Sequence, residues 1–97
     1  MAIIMIYLIS YKLKNAISRD NSILNDTIKN LGVWWHYLDT TWLIHTNNHN
    51  ASQIADIIHS NMQEGDRLFV VQIDGQQRNG WLPREAWEWI KRHEQTN

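Results

Sequence analysis

The chain has 97 residues, a net charge of −1 and no cysteine. This length allows one hydrophobic core, so we expect a single domain over residues 1–97. The balanced charge argues against non-specific binding to duplex DNA, and the lack of cysteine excludes disulfides and thiolate catalysis. The apolar run at residues 2–9 has no basic leader and is too short to span a bilayer. We therefore expect a cytoplasmic protein that does not associate with membranes.

The spacing of apolar residues predicts four strands and three helices. Residues 3–11 are apolar on both alternating faces, which is typical of a central strand covered on both sides. The other elements are a helix with the stripe Ile23, Leu24, Ile28 and Leu31, two strands in "VWWHYLDTTWLIHT", a helix with the stripe Ile54, Ile57, Ile58 and Met62, a strand at residues 67–73, and a helix from Pro83 through Arg92. This order predicts an α+β fold, a ferredoxin-like βαββαβ antiparallel sheet, with residues 81–97 as a C-terminal helical extension.

This topology brings the end of the first strand beside the beginnings of the third and fourth strands, because right-handed crossovers place those two strands on either side of the first. One rim of the sheet then collects basic and hydroxyl side chains. They are Ser10, Lys12, Lys14, Thr40, Thr41 and Arg67. Such side chains donate hydrogen bonds to phosphate, so we expect an anion-binding clamp at this rim. Ordinary solvated strand ends are the alternative interpretation.

Six tryptophans in so short a chain require an explanation. Trp34 and Trp35 are consecutive on a predicted strand, so they point to opposite faces. One of them, with Tyr11, is expected to offer a stacking surface for a nucleobase beside the basic rim. The loop "QQRNGW" has two interpretations: a plain surface loop, or a mobile pair of donors, Arg78 and Asn79, that closes over a ligand. Of the other four tryptophans, Trp42 and Trp89 are assigned to the core. Trp81 is expected to fasten the last helix to the sheet, and Trp87 is expected to contact a partner.

The sequence contains no recognisable catalytic or metal-binding motif. His45 and His49 are four residues apart, but no third ligand is placed near them. The chain also lacks a glycine-rich phosphate loop and a nucleophile elbow. We therefore expect no catalytic residue, no metal and no cofactor.

The stretches "YLISYKL", "GVWWHYLDTTWLIHT" and "EGDRLFVVQI" resemble, in this order, the small CRISPR-associated adaptation subunit family over residues 3–74. The stretches "WWHYLDTTW" and "NGWLP" carry a closer resemblance, to the SinR-like small proteins of bacteria and phages, through the final helix. The resemblance implies a ferredoxin-like homodimer. It also implies that some relatives are metal-dependent nucleases that use an Asp at the end of the first strand, where this chain has Lys12. A lysine supplies no oxygen ligand and repels a divalent cation.

We therefore expect a non-catalytic homodimer that binds a small anionic nucleotide or a short RNA at the rim. By analogy with the relatives, it would be a phage-encoded sponge that sequesters a cyclic nucleotide immune signal. One alternative is a metal-dependent ribonuclease of the CRISPR-associated or toxin type, in which another acid such as Asp39 replaces the missing one. A further alternative is a protein-interaction subunit that docks through its tryptophan-rich C-terminal helix.

Overall fold

The computed structural model describes residues 4–15 and 20–94. These residues form four strands and three helices: β1 (Met5–Lys12), α1 (Ser22–Lys29), β2 (Val33–Leu38), β3 (Thr41–Thr46), α2 (Ala51–His59), β4 (Arg67–Gln72) and α3 (Arg84–His93). The predicted order and type of these elements are therefore confirmed, and the fold is α+β. None of the helices in this part of the chain is long and apolar enough to cross a membrane.

The four strands form one antiparallel sheet in the order β2-β3-β1-β4. In this order β1 is central, with β3 and β4 as its neighbours. The register places Ser10 opposite Thr41 on one side and Phe69 on the other, and Lys12 opposite Arg67. The end of β1 therefore lies beside the beginnings of β3 and β4, where the sequence placed the basic rim.

Alternate residues of β1 enter two separate hydrophobic cores, which explains why both faces of this strand are apolar. Tyr7 and Ile9 pack with the buried residues of α1 and α2 on one face of the sheet. Ile6 packs with residues of β2, β3 and α3 on the other face. Complete burial of such an aliphatic side chain contributes about 1.5–3 kcal/mol, so both cores stabilise the central strand. We call these faces the α1–α2 face and the α3 face.

Local sequence signals define two of the helices. The side chain of Asn50 accepts a hydrogen bond from the Gln53 amide at 2.9 Å, and the Gln53 side chain accepts one from the Asn50 amide at 2.8 Å. This capping box begins α2. Pro83 precedes α3 directly, and the basic residues of its last turn complement the helix dipole. The apolar stripe of α3 is buried against the sheet at Ala86, Trp89 and Ile90.

The tryptophans divide differently from the prediction at two positions. Trp42 and Trp89 are core residues, as predicted. The prediction that Trp81 fastens the last helix to the sheet is wrong, because its side chain is 98% exposed. The neighbouring Leu82 packs against the core of the α3 face instead. Trp87, which the sequence analysis assigned to a partner surface, is half-buried against the same core.

Candidate functional site

Two positive charges face each other at the end of the sheet. Lys12 and Arg67 occupy directly opposite positions of the β1–β4 ladder, and both side chains are exposed. Within residues 4–15 and 20–94, no carboxylate forms an ion pair with either of them. Like charges at directly opposite positions destabilise a sheet. The strands therefore hold two cations together at a cost in stability, and we call them the cation pair.

A hydroxyl pair and an aromatic ring accompany the cation pair on the α3 face. Ser10 lies two residues before Lys12 and so shares its face of β1. The hydroxyl of Thr41 donates a hydrogen bond to the Ser10 hydroxyl at 3.4 Å. Phe69, opposite Ser10 on β4, is 62% exposed. A shallow cavity of about 260 Å³ joins these groups and is lined by Ser10, Tyr11, Lys12, Arg67, Leu68 and Phe69.

Sequence reasoning missed Phe69, although the signal was present. Residues 67 and 69 of one strand share a face, and the predicted topology already put Arg67 at the rim. The stacking surface was expected at Trp34 or Trp35 with Tyr11 instead. The exposed aromatic side chain beside the cation pair is therefore a phenylalanine.

Lys14 lies just beyond the end of β1, where the chain packs against the turn that leads into β4. Its backbone amide donates to Asp66 Oδ1 at 2.8 Å, and Asp66 Oδ2 accepts from the Gln63 amide, also at 2.8 Å. The adjacent Gly65 has a φ of +93°, and a Cβ there would lie 2.7 Å from Lys14 Cδ. Asp66 thus organises the turn, and a side chain at residue 65 would displace the lysine from this end of the sheet.

A larger cavity lies on the same face, between the sheet, α3 and residues 74–83. Its volume is about 280 Å³. It is lined by Leu8, Trp35, Leu38, Thr41, Leu43, Ile73, Gln76, Gln77, Arg78, Asn79, Leu82, Trp87 and Ile90. The hydroxyl of Thr41 borders this cavity and bonds to Ser10 of the shallow one, so the two cavities adjoin at this pair. We call the larger one the loop cavity.

The indole of Trp35 has a fixed position in the loop cavity. Its Nε1 donates to the carbonyl of Ala86 in α3 at 3.1 Å, which ties β2 to that helix. The side chain is buried, and its ring contacts that of Tyr37 edge-on at 5.1 Å between centroids. Trp35 is therefore a rigid wall of the cavity.

Arg78 is tied to the end of α3. Its guanidinium donates to Glu94, which also accepts from the Gly75 amide at 3.1 Å. The Arg78 hydrogen bond, reinforced by the Gly75 amide, lowers the pKa of the Glu94 carboxyl. Arg78 Nε donates to the Gln76 carbonyl at 3.2 Å. Arg78 thus fixes the loop that borders the cavity, whereas the sequence suggested an arm that closes over a ligand at the rim.

The residues predicted for the rim are only partly brought together. Ser10, Lys12, Thr41 and Arg67 meet on the α3 face, and Lys14 lies beyond them. Trp35 and Arg78 border the neighbouring loop cavity. The remaining three are Tyr11, which borders the shallow cavity but has its side chain buried, Trp34 and Thr40.

Tyr11 and Trp34 belong to the α1–α2 face. The Tyr11 side chain is buried, and its hydroxyl accepts a hydrogen bond from Trp42 Nε1 at 3.1 Å. Trp34 is 43% exposed, and its ring centroid lies 5.6 Å from that of Trp42. The ammonium of Lys29 lies over the Trp34 ring, 5.0 Å from the centroid. Thr40 is exposed in the β2–β3 turn, and its carbonyl accepts from the Tyr11 amide at 3.1 Å. Strand alternation directs the two aromatic side chains away from the cation pair.

Two histidines lie where α3 meets the sheet. The rings of His45 and His93 are 4.7 Å apart, and His93 Nδ1 lies 2.8 Å from the Trp89 carbonyl. Burial lowers the pKa of His45, and His93 lowers it further, whereas Asp74 opposes them. Protonation of His45 is therefore disfavoured in the folded state.

Within residues 4–15 and 20–94, no three His, Cys, Asp or Glu side chains gather into a group that could hold a metal ion.

The sequence matches no protein-family model, and neither a curated protein nor a solved structure matches the chain. The arrangement of the residues themselves is therefore the only indication of function.

Proposed function

We propose that the protein is a non-catalytic nucleotide-binding homodimer that holds phosphate groups of its ligand between Lys12 and Arg67. The observation that carries the proposal is the cation pair, which has no carboxylate counter-charge among the described residues. A bound phosphate replaces repulsion between the two side chains with attraction of both to one anion. Hydrogen bonds to charged groups contribute about 1.5–3 kcal/mol each, more than the repulsion costs.

The neighbours of the cation pair suit a nucleotide better than a bare anion. Ser10 and Thr41 supply hydroxyl groups on the same face, and Lys14 adds a charge nearby. The exposed ring of Phe69 adjoins the shallow cavity. Aromatic side chains stack on nucleobases with about 1–3 kcal/mol per base. Side chains that donate hydrogen bonds to phosphate lie beside an apolar aromatic surface, and these two features match the phosphate and the base of a nucleotide.

The proposal includes a ferredoxin-like fold and the SinR-like resemblance. The element order, with strand order β2-β3-β1-β4, supports that fold. It also includes a two-fold dimer. The outermost strand β4 is a regular six-residue strand without proline, and such edges pair readily with a second copy. The opposite edge strand, β2, is interrupted by an irregularity between Trp35 and Leu38, which disfavours pairing there.

Pairing of two β4 strands would bring two cation pairs into one assembly. A two-fold axis repeats every contact, so the ligand that fits best carries two phosphates related by symmetry. A cyclic dinucleotide has this arrangement. Sequestration of such an immune signal by a phage-encoded sponge is the biological role that we propose on this basis.

Calorimetric titration tests the binding proposal with cyclic dinucleotides, cyclic mononucleotides and short RNAs as probes. We expect at least one to bind, and Lys12→Ala to weaken its binding by about tenfold or more, as loss of one charge-assisted contact implies. Lys29→Ala removes a lysine from the α1–α2 face and is the matched control. Failure of every probe to bind below millimolar concentration, or equal affinities of the two variants, would overturn the proposal. RNA cleavage with Mg²⁺ that Asp39→Asn abolishes would identify a ribonuclease instead.

A further inference from the structure

We infer that the loop cavity is the subsite for the nucleobase, so that its lining determines which base the protein accepts. This inference rests on the proposed function for the phosphate end. Its own evidence is the size of the cavity, the chemistry of its walls and its distance from the cation pair.

The size of the loop cavity limits the occupant to one ring system. Small-molecule sites in proteins usually measure about 300–1,000 Å³. The loop cavity, at about 280 Å³, lies just below this range. This volume suits one base, so we place a single base in each protomer.

The walls combine flat apolar surface with a polar edge. The rings of Trp35 and Trp87 and the aliphatic side chains of the sheet and α3 supply the apolar part. The loop supplies the amides of Gln76 and Gln77, whose side chains form no hydrogen bond with the described residues. A carboxamide offers donors and an acceptor, the complement of the edge of a base. Sites that take up a single base use this combination of stacking walls and hydrogen bonds to its edge.

The backbone that carries the polar edge is held in place before any ligand arrives. Glu94 binds Arg78 and the Gly75 amide, and the Gln76 amide donates to the Ile73 carbonyl at 3.1 Å. A loop that is already ordered loses less conformational entropy on binding. The two free amides are therefore presented from a supported backbone.

The loop cavity and the cation pair are separated by about the length of a nucleotide. Leu8 borders the cavity, and Lys12 lies four residues further along the same face of β1. At about 3.3 Å per residue these positions are roughly 13 Å apart, and a lysine side chain can span part of that distance. Ser10 and Thr41 lie between them. Base, sugar and phosphate would then lie in this order along the strand, with the sugar over the hydroxyl pair.

Phe69 is the competing position for the base, and the structure favours the cavity. The Phe69 ring is exposed and offers a face for stacking, but its shallow cavity has no amide group among its side chains. The loop cavity encloses the base and contacts its edge as well. Specificity for one base requires the second kind of contact.

The test fills the loop cavity and leaves the cation pair intact. Leu38→Trp places a larger ring at the cavity wall, at a position that is 47% exposed and should tolerate it. Val33→Trp makes the same change on the same strand at a position that is 50% exposed and outside the cavity. The probes are the 5′-monophosphates of adenosine, guanosine, cytidine and uridine, together with ribose 5-phosphate, which has no base.

We expect the native protein and Val33→Trp to prefer one monophosphate by about tenfold over another. Leu38→Trp should lose this preference and bind every monophosphate about as well as ribose 5-phosphate. The exposed-loop double variant Gln76→Leu/Gln77→Leu should also lose the preference, and it serves if Leu38→Trp does not fold. A preference that survives in both overturns the inference. If Lys12→Ala still weakens all five probes, the proposed function stands without the base subsite. If none of the five probes binds the native protein, the base subsite is overturned, whereas the proposed function is decided by the titrations with cyclic nucleotides and short RNAs.

Discussion

Replacing Lys12 by glutamate should stabilise the protein while it abolishes phosphate binding. Lys12 lies directly opposite Arg67, so the substitution removes a repulsion and adds an attraction. A repulsive or attractive cross-strand charge pair contributes about 0.2–1 kcal/mol to the free energy of unfolding. Loss of the repulsion and gain of the attraction together give roughly 0.4–2 kcal/mol. Because both side chains are exposed, we expect the lower part of this range, about 0.5–1 kcal/mol. For a domain of this size that raises the melting temperature by about 2–8 °C.

A double-mutant cycle separates this interaction from other effects. Lys12→Glu and Arg67→Glu should each raise the melting temperature, and the double variant should return close to the native value because two acids again repel. All three should fail to bind nucleotide. In 1 M salt, where the screening length is about 3 Å, the differences should shrink. Lower melting temperatures for both single variants would refute the reasoning. So would a change in melting temperature of the double variant that equals the sum of the two single changes, since independent residues have additive effects.

Three further substitutions test the surroundings of the site. Tyr11→Phe leaves the buried Trp42 indole N–H without its acceptor, so urea denaturation should show a loss of about 1–3 kcal/mol, with ligand affinity unchanged; weaker binding would place Tyr11 in the site after all. Glu94 has a lowered pKa in the folded state, so its stabilising contribution is present above the ordinary pKa of 4.5 and is lost as the pH falls through the lower folded value. Glu94→Gln should remove this part of the acid dependence in thermal melts, and an unaltered curve would contradict the account. The pKa of His45 is also lowered, chiefly by burial, so native stability should fall as the pH drops below the ordinary 6.5. His45→Gln should reduce this loss of stability below pH 6.5. A native protein whose stability does not change in this pH range would refute the assignment of the loss to His45.

Local signals predicted most of the fold. The two-sided apolar pattern of β1 requires cover on both faces, and α1, α2 and α3 supply it. Pro83 marks the beginning of the last helix, and the structure begins α3 directly after it. The basic rim followed from topology alone, because antiparallel neighbours of a central strand begin where that strand ends. These features depend on short sequence separations or on strand order.

The loop cavity could not be predicted in the same way. Its walls come from Leu8, Trp35, Gln76 and Trp87, which are far apart in the chain and meet only through tertiary packing. The exposure of Trp81 was likewise unpredictable, because Leu82 next to it satisfies the same apolar core. The path of the loop determines which of two adjacent apolar side chains is buried, and amino-acid composition does not predict that path.

Native mass spectrometry of the freshly purified protein tests the central claim most directly, because one spectrum reports the subunit count and any retained ligand. We expect a dimer that carries an additional mass equal to that of a nucleotide, and we expect Lys12→Glu to yield the same dimer without that mass. Retention of the same adduct by Lys12→Glu would contradict the claim. So would a native protein that is free of adduct and binds none of the cyclic nucleotides added to it.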